Sequence, residues 1–141
     1  MIAGKWTYRS YRNDPVLVGD DAQTALNLIF GEGVFDFEAW GDDSFRGTLD
    51  MGPGYALDLT GFTIPTVGGG PLVYAIVGLG IDGTDTAGWR YDYRCVDGYA
   101  WPNGIDQIPS LVGTVVRVNP HGPQSPAGVT ASFVAVRQPD G

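Results

Sequence analysis

Residues 89–94 carry the densest group of side chains capable of chemistry, because aromatic and charged residues alternate along this segment. Alternate residues of a β-strand face opposite sides of the sheet. With Trp89, Tyr91 and Tyr93 facing inward, the strand supplies an aromatic wall whose phenol hydroxyls can orient a ligand or transfer a proton. The opposite register would bury Asp92 between two arginines, a group suited to binding a carboxylate or carbonyl oxygen. We expect the aromatic side inward, because each buried ion that is not fully paired costs several kcal/mol.

Two residues near the amino terminus also suit catalysis. If Trp6 points into the interior, the alternation along residues 4–12 directs Tyr8 and Arg12 inward as well. A phenol and a guanidinium in one lumen can hydrogen-bond to the negative charge that develops on a substrate oxygen. The predicted catalytic residues are therefore Tyr8, Tyr91 and Arg12.

The same alternation selects aromatic residues on other strands for the wall of a binding cavity. Phe35, Phe37 and Tyr55 share the inward side of their strands, and Phe133 shares the inward side of the last strand. Trp101 lies in an aromatic-rich turn, where it either covers the open end of the cavity or anchors its own loop. The predicted ligand-binding residues are Tyr8, Phe35, Phe37, Tyr55, Trp89, Tyr91, Tyr93, Trp101 and Phe133.

The single histidine and the single cysteine limit metal and redox chemistry. His121 has the side-chain type of a general base, but it lies between prolines, and we expect an exposed turn at the rim of the fold. Cys95 continues the inward side of Tyr93 and is expected to be a small buried hydrophobe. One Cys and one His cannot supply the ligands of a zinc site, and no nucleotide-binding motif is present. The sequence therefore predicts neither a metal nor a cofactor.

Period-2 patterns bounded by turn residues predict eight strands and no helix longer than about two turns. The second strand is expected to bend, because Gly31-Glu32-Gly33 interrupts it. Acidic residues at 20–21 are expected to cap a short helix or turn over residues 20–24. The predicted strands are 4–12, 26–40, 43–51, 54–63, 71–81, 87–96, 110–119 and 128–138.

The strand pattern predicts an all-β fold. The chain has 141 residues, enough for one domain, and its 22 Gly and 10 Pro residues exclude a helical bundle. Short links join most consecutive strands, so a single eight-stranded antiparallel up-and-down barrel over residues 1–141 is the expected architecture. An open two-sheet sandwich is the alternative, because two of the longer connections could serve as crossovers.

Residues at the two ends of the chain carry a family resemblance. Gly4-Lys5-Trp6 resembles the Gly-X-Trp signature of the calycin barrels, the lipocalin and avidin-type proteins, and Arg137 stands where that family has an arginine near the end of the last strand. The resemblance implies that Trp6 lies at the closed floor of a barrel with Arg137 across its face. The disulfides and helix that often accompany lipocalins are absent, which favours a generic calycin-like or allene-oxide-cyclase-like barrel.

The inferred lumen allows three functions. An aromatic cavity with a few hydroxyls predicts a module that binds a small, largely apolar molecule. The alternative is a cofactor-independent enzyme of the isomerase, cyclase or lyase type, acting on a small hydrophobic substrate in the same cavity. A structural barrel with a fully packed interior is the third interpretation.

The net charge and the hydropathy pattern limit the classes of partner, the location and the assembly that we expect. A net charge of −8 disfavours nucleic acid and anionic membranes. No stretch reaches the roughly 20 apolar residues of a membrane span, and no signal-peptide core is recognised, so a cytoplasmic location is expected. Strand 71–81 is apolar on both sides, and we expect residues 13–25 or a second subunit to cover it, which makes a homodimer the predicted assembly.

Overall fold

Alternating apolar and polar residues fold the chain into antiparallel strands that close on themselves. The computed structural model describes residues 2–14 and 21–139, and in it eight strands form a closed barrel with a meander order. This order confirms the all-β, eight-stranded barrel and excludes the sandwich. Closure gives every strand a neighbour on both sides.

The strands agree closely with those expected from the sequence. They are β1 (Gly4–Arg12), β2 (Ile29–Ala39), β3 (Ser44–Asp50), β4 (Ala56–Ile64), β5 (Val73–Gly80), β6 (Arg90–Asp97), β7 (Ser110–Arg117) and β8 (Thr130–Arg137). The predicted second strand is shorter than expected, because its first residues belong to α1 (Ala22–Asn27). Asp21 caps this helix by accepting hydrogen bonds from the backbone N–H groups of Gln23 and Thr24.

The barrel has two unlike ends because consecutive strands run in opposite directions. At one end, called the mouth, lie connections 51–55, 81–89 and 118–129. At the other end, called the floor, lie connections 40–43, 65–72 and 98–109. Both the first residues of β1 and the last residues of β8 reach the floor.

The floor is plugged by the two residues that carry the family resemblance. Trp6 pairs with Arg137 across β1 and β8, and the Arg137 guanidinium carbon lies 5.7 Å from the centre of the indole ring. The indole N–H donates to the carbonyl of Ile2 at 2.8 Å, so the buried ring keeps its hydrogen bond. This is the predicted cation–π pair at the closed end.

Inward side chains from all eight strands fill the barrel between the floor and the mouth. Aromatic rings dominate, and Phe35 contacts Tyr8, Phe37, Tyr93 and Phe133 with centroid distances of 4.7 to 6.0 Å. Edge-to-face contacts of this kind stabilise aromatic clusters beyond the burial of their area. The aromatic interior therefore fixes the positions of the rings nearer the mouth.

The outer side of β4 and β5 keeps the apolar character seen in the sequence. Phe62 is 51% exposed and Leu79 is 49% exposed, whereas Ala75, which pairs with Phe62, is buried. Part of the segment 13–25, expected as one cover for this face, lies outside the described residues. The second subunit, the other expected cover, stays a prediction.

In residues 2–14 and 21–139, no helix has the length and apolar composition needed to cross a bilayer.

Candidate functional site

A cavity of about 240 Å³ opens at the mouth of the barrel. Tyr8, Leu57 and Tyr93 form its buried base, and loop residues form its rim. Its lining is aromatic and aliphatic apart from the tyrosine hydroxyls and two basic side chains. The lining residues are Tyr8, Phe30, Gly31, Met51, Tyr55, Leu57, Trp89, Tyr91, Tyr93, Arg117 and His121.

Three of these residues form a chain of hydrogen bonds at the rim. The Arg117 Nε–H donates to the Tyr91 hydroxyl oxygen at 3.0 Å, and the same oxygen lies 2.6 Å from His121 Nε2. A guanidinium can only donate, so the Tyr91 oxygen accepts from Arg117; the Tyr91 hydroxyl donates to His121 in the neutral tautomer that carries its proton on Nδ1.

The surroundings of His121 favour this neutral form. Burial lowers the pKa of His121 below its ordinary value of 6.5, and the positive charge of Arg117 lowers it further. The ring stacks on Trp89 with a centroid distance of 3.9 Å and an angle of 15° between the planes. A neutral ring in this position can accept the proton of Tyr91.

The connection between β7 and β8 carries His121 back over the mouth. Asn119 donates from Nδ2 to the carbonyl of Gly88 at 3.2 Å, which joins this connection to the turn before β6. Arg117 Nη1 donates to the carbonyl of Pro126 at 3.2 Å, and the N–H of His121 donates to the carbonyl of Ser125 at 3.0 Å. These bonds hold the imidazole against Trp89.

Trp89 is positioned by a buried threonine in the connection between β5 and β6. Thr86 is fully buried, and its hydroxyl donates to the carbonyl of Ala56 at 2.8 Å and accepts from the N–H of Ile81 at 3.0 Å. The carbonyl of Thr86 accepts from the N–H of Trp89 at 2.9 Å. The connection is thereby fastened to the start of β4, and the indole is fixed at the rim.

The base of the cavity is formed by two uncharged phenols. Burial raises the pKa of Tyr8 and raises that of Tyr93 well above the ordinary value of 10.0. Both side chains therefore stay protonated at neutral pH. They offer hydroxyl groups to a ligand without adding charge.

Five predicted ligand-binding residues line this cavity: Tyr8, Tyr55, Trp89, Tyr91 and Tyr93. The predicted direction of β6 is confirmed, because Tyr91 and Tyr93 are buried. Arg90 and Asp92 lie on the outer side of the strand, where Arg90 Nε is 3.1 Å from Asp92 Oδ1. Cys95 is buried as expected.

Three other predicted ligand-binding residues occupy the packed core instead. Phe35, Phe37 and Phe133 are buried, but they do not line the cavity. They lie one layer of rings away from it, in contact with Tyr8, Tyr93 or each other. Strand alternation gave their direction correctly, but it cannot tell how far up the barrel the packing extends.

The prediction that Arg12 points into the lumen is wrong. Arg12 keeps its register with Ala131 of β8, but it is the last residue of β1, and its side chain reaches solvent instead of the cavity. Arg12 is exposed and lies 3.6 Å from the carboxylate of Asp14. It takes no part in the mouth cavity.

The prediction that Trp101 covers the open end is also wrong, because its connection lies at the floor. Its ring is 62% exposed and contacts Tyr99 at 4.8 Å. Its backbone N–H donates to Gln107 Oε1 at 2.6 Å, and its carbonyl accepts from Gln107 Nε2 at 3.2 Å. The other interpretation, an anchor within its own loop, agrees with these bonds.

His121 is not the exposed turn residue that we expected, although it does lie at the rim. The sequence analysis also missed Arg117 and Phe30. Arg117 could have been found from the alternation of β7, since Leu111, Val115 and Arg117 share one side of that strand. The contact of His121 with Tyr91 depends on the path of a connection, which strand alternation does not specify.

Comparison of the chain with family models, curated proteins and solved structures finds no match. The site is therefore interpreted from its own geometry. Among the residues that the structure describes, no three His, Cys, Asp or Glu side chains are grouped so as to hold a metal ion.

Proposed function

We propose that this protein binds a small, largely apolar molecule in the mouth cavity. One observation carries the proposal: about 240 Å³ of space at the mouth lies against aromatic side chains that converge from several strands and connections. Protein interiors usually fill such space, and a fully packed structural barrel would not retain it. The cavity combines apolar walls with a few placed polar groups, as ligand sites do.

The size of the cavity limits the ligand. Pockets for drug-sized ligands span roughly 300–1,000 Å³, and the mouth cavity is smaller than that range. Its volume equals about eight water molecules at ~30 Å³ each. We expect a ligand of one ring, or of a short branched or linear chain.

We also propose that the barrel is of the calycin type. The support comes from the floor, where Gly4, Trp6 and Arg137 stand together in the arrangement that the family resemblance implies. An allene-oxide-cyclase-like barrel is the alternative within the same proposal. A cytoplasmic location and a homodimer remain proposals based on the sequence.

A cofactor-independent enzyme is the second candidate, and one specific observation favours it. The chain from Arg117 through Tyr91 to His121 joins a cation, a phenol hydroxyl and an imidazole within hydrogen-bonding distance. Such a chain can hold or move a proton at the Tyr91 oxygen, because Arg117 stabilises a phenolate and His121 can accept the proton. Proton transfer within a bound carbonyl compound is the reaction class that fits.

The binding proposal can be tested by filling the cavity. Gly31 has room for a side chain, since a Cβ there would meet Ser10 Oγ at 3.5 Å and Met51 Sδ and Tyr8 Cε1 at 3.7 Å. Gly31→Val therefore places its methyl groups beside residues that line the cavity, and valine suits a strand. Phenol, indole and cyclohexanol serve as probes, monitored by tryptophan fluorescence and by the NMR resonance of His121.

We expect at least one probe to bind the wild type and to bind Gly31→Val at least tenfold more weakly. Asp36→Val, on the outer side of the same strand, is the matched control and should bind like the wild type. Equal binding to wild type and Gly31→Val, or no binding of any probe, would show that the cavity is not a ligand site.

A further inference from the structure

Arg117 differs in its charge environment from most of the other arginines of the barrel. Four of them lie within 4.0 Å of a carboxylate: Arg9, Arg12, Arg46 and Arg90. In the described part of the chain, no carboxylate lies that close to Arg117. It is also the only charged side chain among those lining the mouth cavity. Within the described residues, the cavity thus holds a cation without an ionic partner, in a protein with a net charge of −8.

The hydrogen bonds of Arg117 position the guanidinium without using all of its donors. Its Nε–H donates to Tyr91, and Nη1 donates to the carbonyl of Pro126. The guanidinium carbon lies 5.0 Å from the centre of the Phe30 ring. This cation–π contact orients the guanidinium but uses none of its in-plane N–H donors. A guanidinium has five N–H groups, so donors remain for an acceptor inside the cavity.

We propose that the ligand of the mouth cavity is a small monocarboxylic acid, with its apolar body on the aromatic base and its carboxylate on Arg117. This inference rests on the proposed binding function and specifies the class of ligand. A carboxylate matches the planar arrangement of guanidinium donors. A phosphate monoester carries about −1.5 to −2 charges at neutral pH, and one arginine would leave part of that charge unpaired among aromatic rings.

A bound carboxylate would also change the pKa of His121. Both His121 and Arg117 form hydrogen bonds with the Tyr91 hydroxyl, so the carboxylate would lie near the imidazole. Its negative charge would offset the charge of Arg117 and raise the pKa of His121, whereas a neutral ligand would not. The other titratable or charged groups lining the cavity are Arg117, Tyr8, Tyr55, Tyr91 and Tyr93. His121 is the only histidine of the chain, so its titration appears as one NMR signal.

The test compares acids with their primary amides, which have nearly the same shape and no charge. Three pairs with different apolar bodies serve as probes: phenylacetate, cyclohexylacetate and hexanoate, each with its amide. Affinities for the wild type, Arg117→Met, Arg117→Lys and Arg46→Met are measured by calorimetry at pH 7.5. Arg46→Met is the control, because it removes the same charge from the outer side of β3.

We expect at least one acid to bind the wild type ten or more times as tightly as its amide and to raise the pKa of His121. Arg117→Met should remove this preference, because it weakens binding of the acid at least tenfold more than binding of the amide. Arg117→Lys should keep part of the preference, and Arg46→Met should keep all of it. If Arg117→Met does not fold, the Arg117→Lys variant and the His121 titration of the wild type still test whether Arg117 binds a carboxylate.

Two results would overturn the inference, and they differ in what they say about the binding function. If amides bind as tightly as acids, or if Arg117→Met keeps the preference for the acid, the proposed ligand class is wrong. The proposed binding function then still holds. If no acid or amide binds the wild type, the proposed ligand class is wrong; the binding function is wrong as well only if phenol, indole and cyclohexanol also fail to bind.

Discussion

Tyr91 is the residue on which the polar part of the mouth depends, because its hydroxyl is used in both directions. It accepts from Arg117, and it donates to His121 when the neutral imidazole carries its proton on Nδ1. Removing the oxygen leaves a guanidinium N–H and an imidazole nitrogen without their partner. The same single change therefore has different consequences for a binding protein and for an enzyme.

For a binding protein, we expect Tyr91→Phe to weaken the binding of a polar probe by about 1 kcal/mol, the net value of one hydrogen bond. For an enzyme, the same change should lower turnover about 100-fold with little effect on affinity. The measurement is the exchange of α-protons of 1-phenylpropan-2-one in heavy water, followed by NMR alongside calorimetry. Tyr8→Phe is the control, because its hydroxyl lines the cavity outside the Arg117–Tyr91–His121 chain.

The proposed binding function predicts no exchange above the rate in buffer alone. Exchange that the wild type accelerates and Tyr91→Phe loses would show that proton transfer takes place in the cavity. Loss in Tyr8→Phe as well would move that proton transfer from Tyr91 to the base of the cavity.

The first strand and the last strand are joined at the floor by a close approach that requires glycine. A Cβ at Gly4 would lie 2.5 Å from the guanidinium carbon of Arg137, and Gly4 has a φ of +122°. The guanidinium therefore occupies the space of a side chain at position 4 while it covers Trp6. This contact explains the Gly-X-Trp spacing in physical terms.

Gly4→Ala tests the floor contact against a matched glycine. Gly52 has the same φ of +122°, but a Cβ there would meet no atom within 4 Å. We expect Gly52→Ala to cost about 1–2 kcal/mol for backbone strain alone. Gly4→Ala should cost a further ~1–3 kcal/mol, because the new methyl group displaces Arg137 from the plug.

The free energies of unfolding in urea give the comparison. Equal losses for the two variants would mean that Arg137 moves aside without cost. In that case the cation–π pair contributes little to closure of the barrel.

The strands of the barrel were predictable from the sequence. The residues that line the mouth cavity were predictable only in part. Alternation placed Tyr8, Tyr91 and Tyr93 correctly, because each lies within a regular stretch of strand. It failed for Arg12, because this residue ends β1, where the long side chain is exposed and lies beside Asp14. It could not place His121, whose position depends on hydrogen bonds between two connections.

The whole molecule contains several acidic groups that burial keeps protonated. Burial raises the pKa of Cys95 to about 12, and burial together with the charge of Asp97 raises that of Tyr74 to about 12. In the unfolded chain the thiol loses its proton near pH 9.0 and the phenol near pH 10.0. The folded state keeps these protons over that range.

We therefore expect the free energy of unfolding to fall as pH rises from about 9 to 12. Above pH 9 the unfolded chain binds fewer protons than the folded chain, which gives stability a negative slope with pH. Urea unfolding at pH 7, 9, 10 and 11 measures this slope. Cys95→Ala should remove the first part of the fall, and a stability that is constant up to pH 11 would contradict the expectation.

Pairing of Trp6 with Arg137 has a consequence for the way the protein is made. During synthesis, β1 leaves the ribosome early and has only β2 beside it until β8 emerges. Contacts so distant in sequence slow folding, with all-β domains typically needing milliseconds to seconds. For that interval the nascent sheet has open edges that can pair with other chains. Emergence of the last strand removes both edges at once and completes the wall around the cavity.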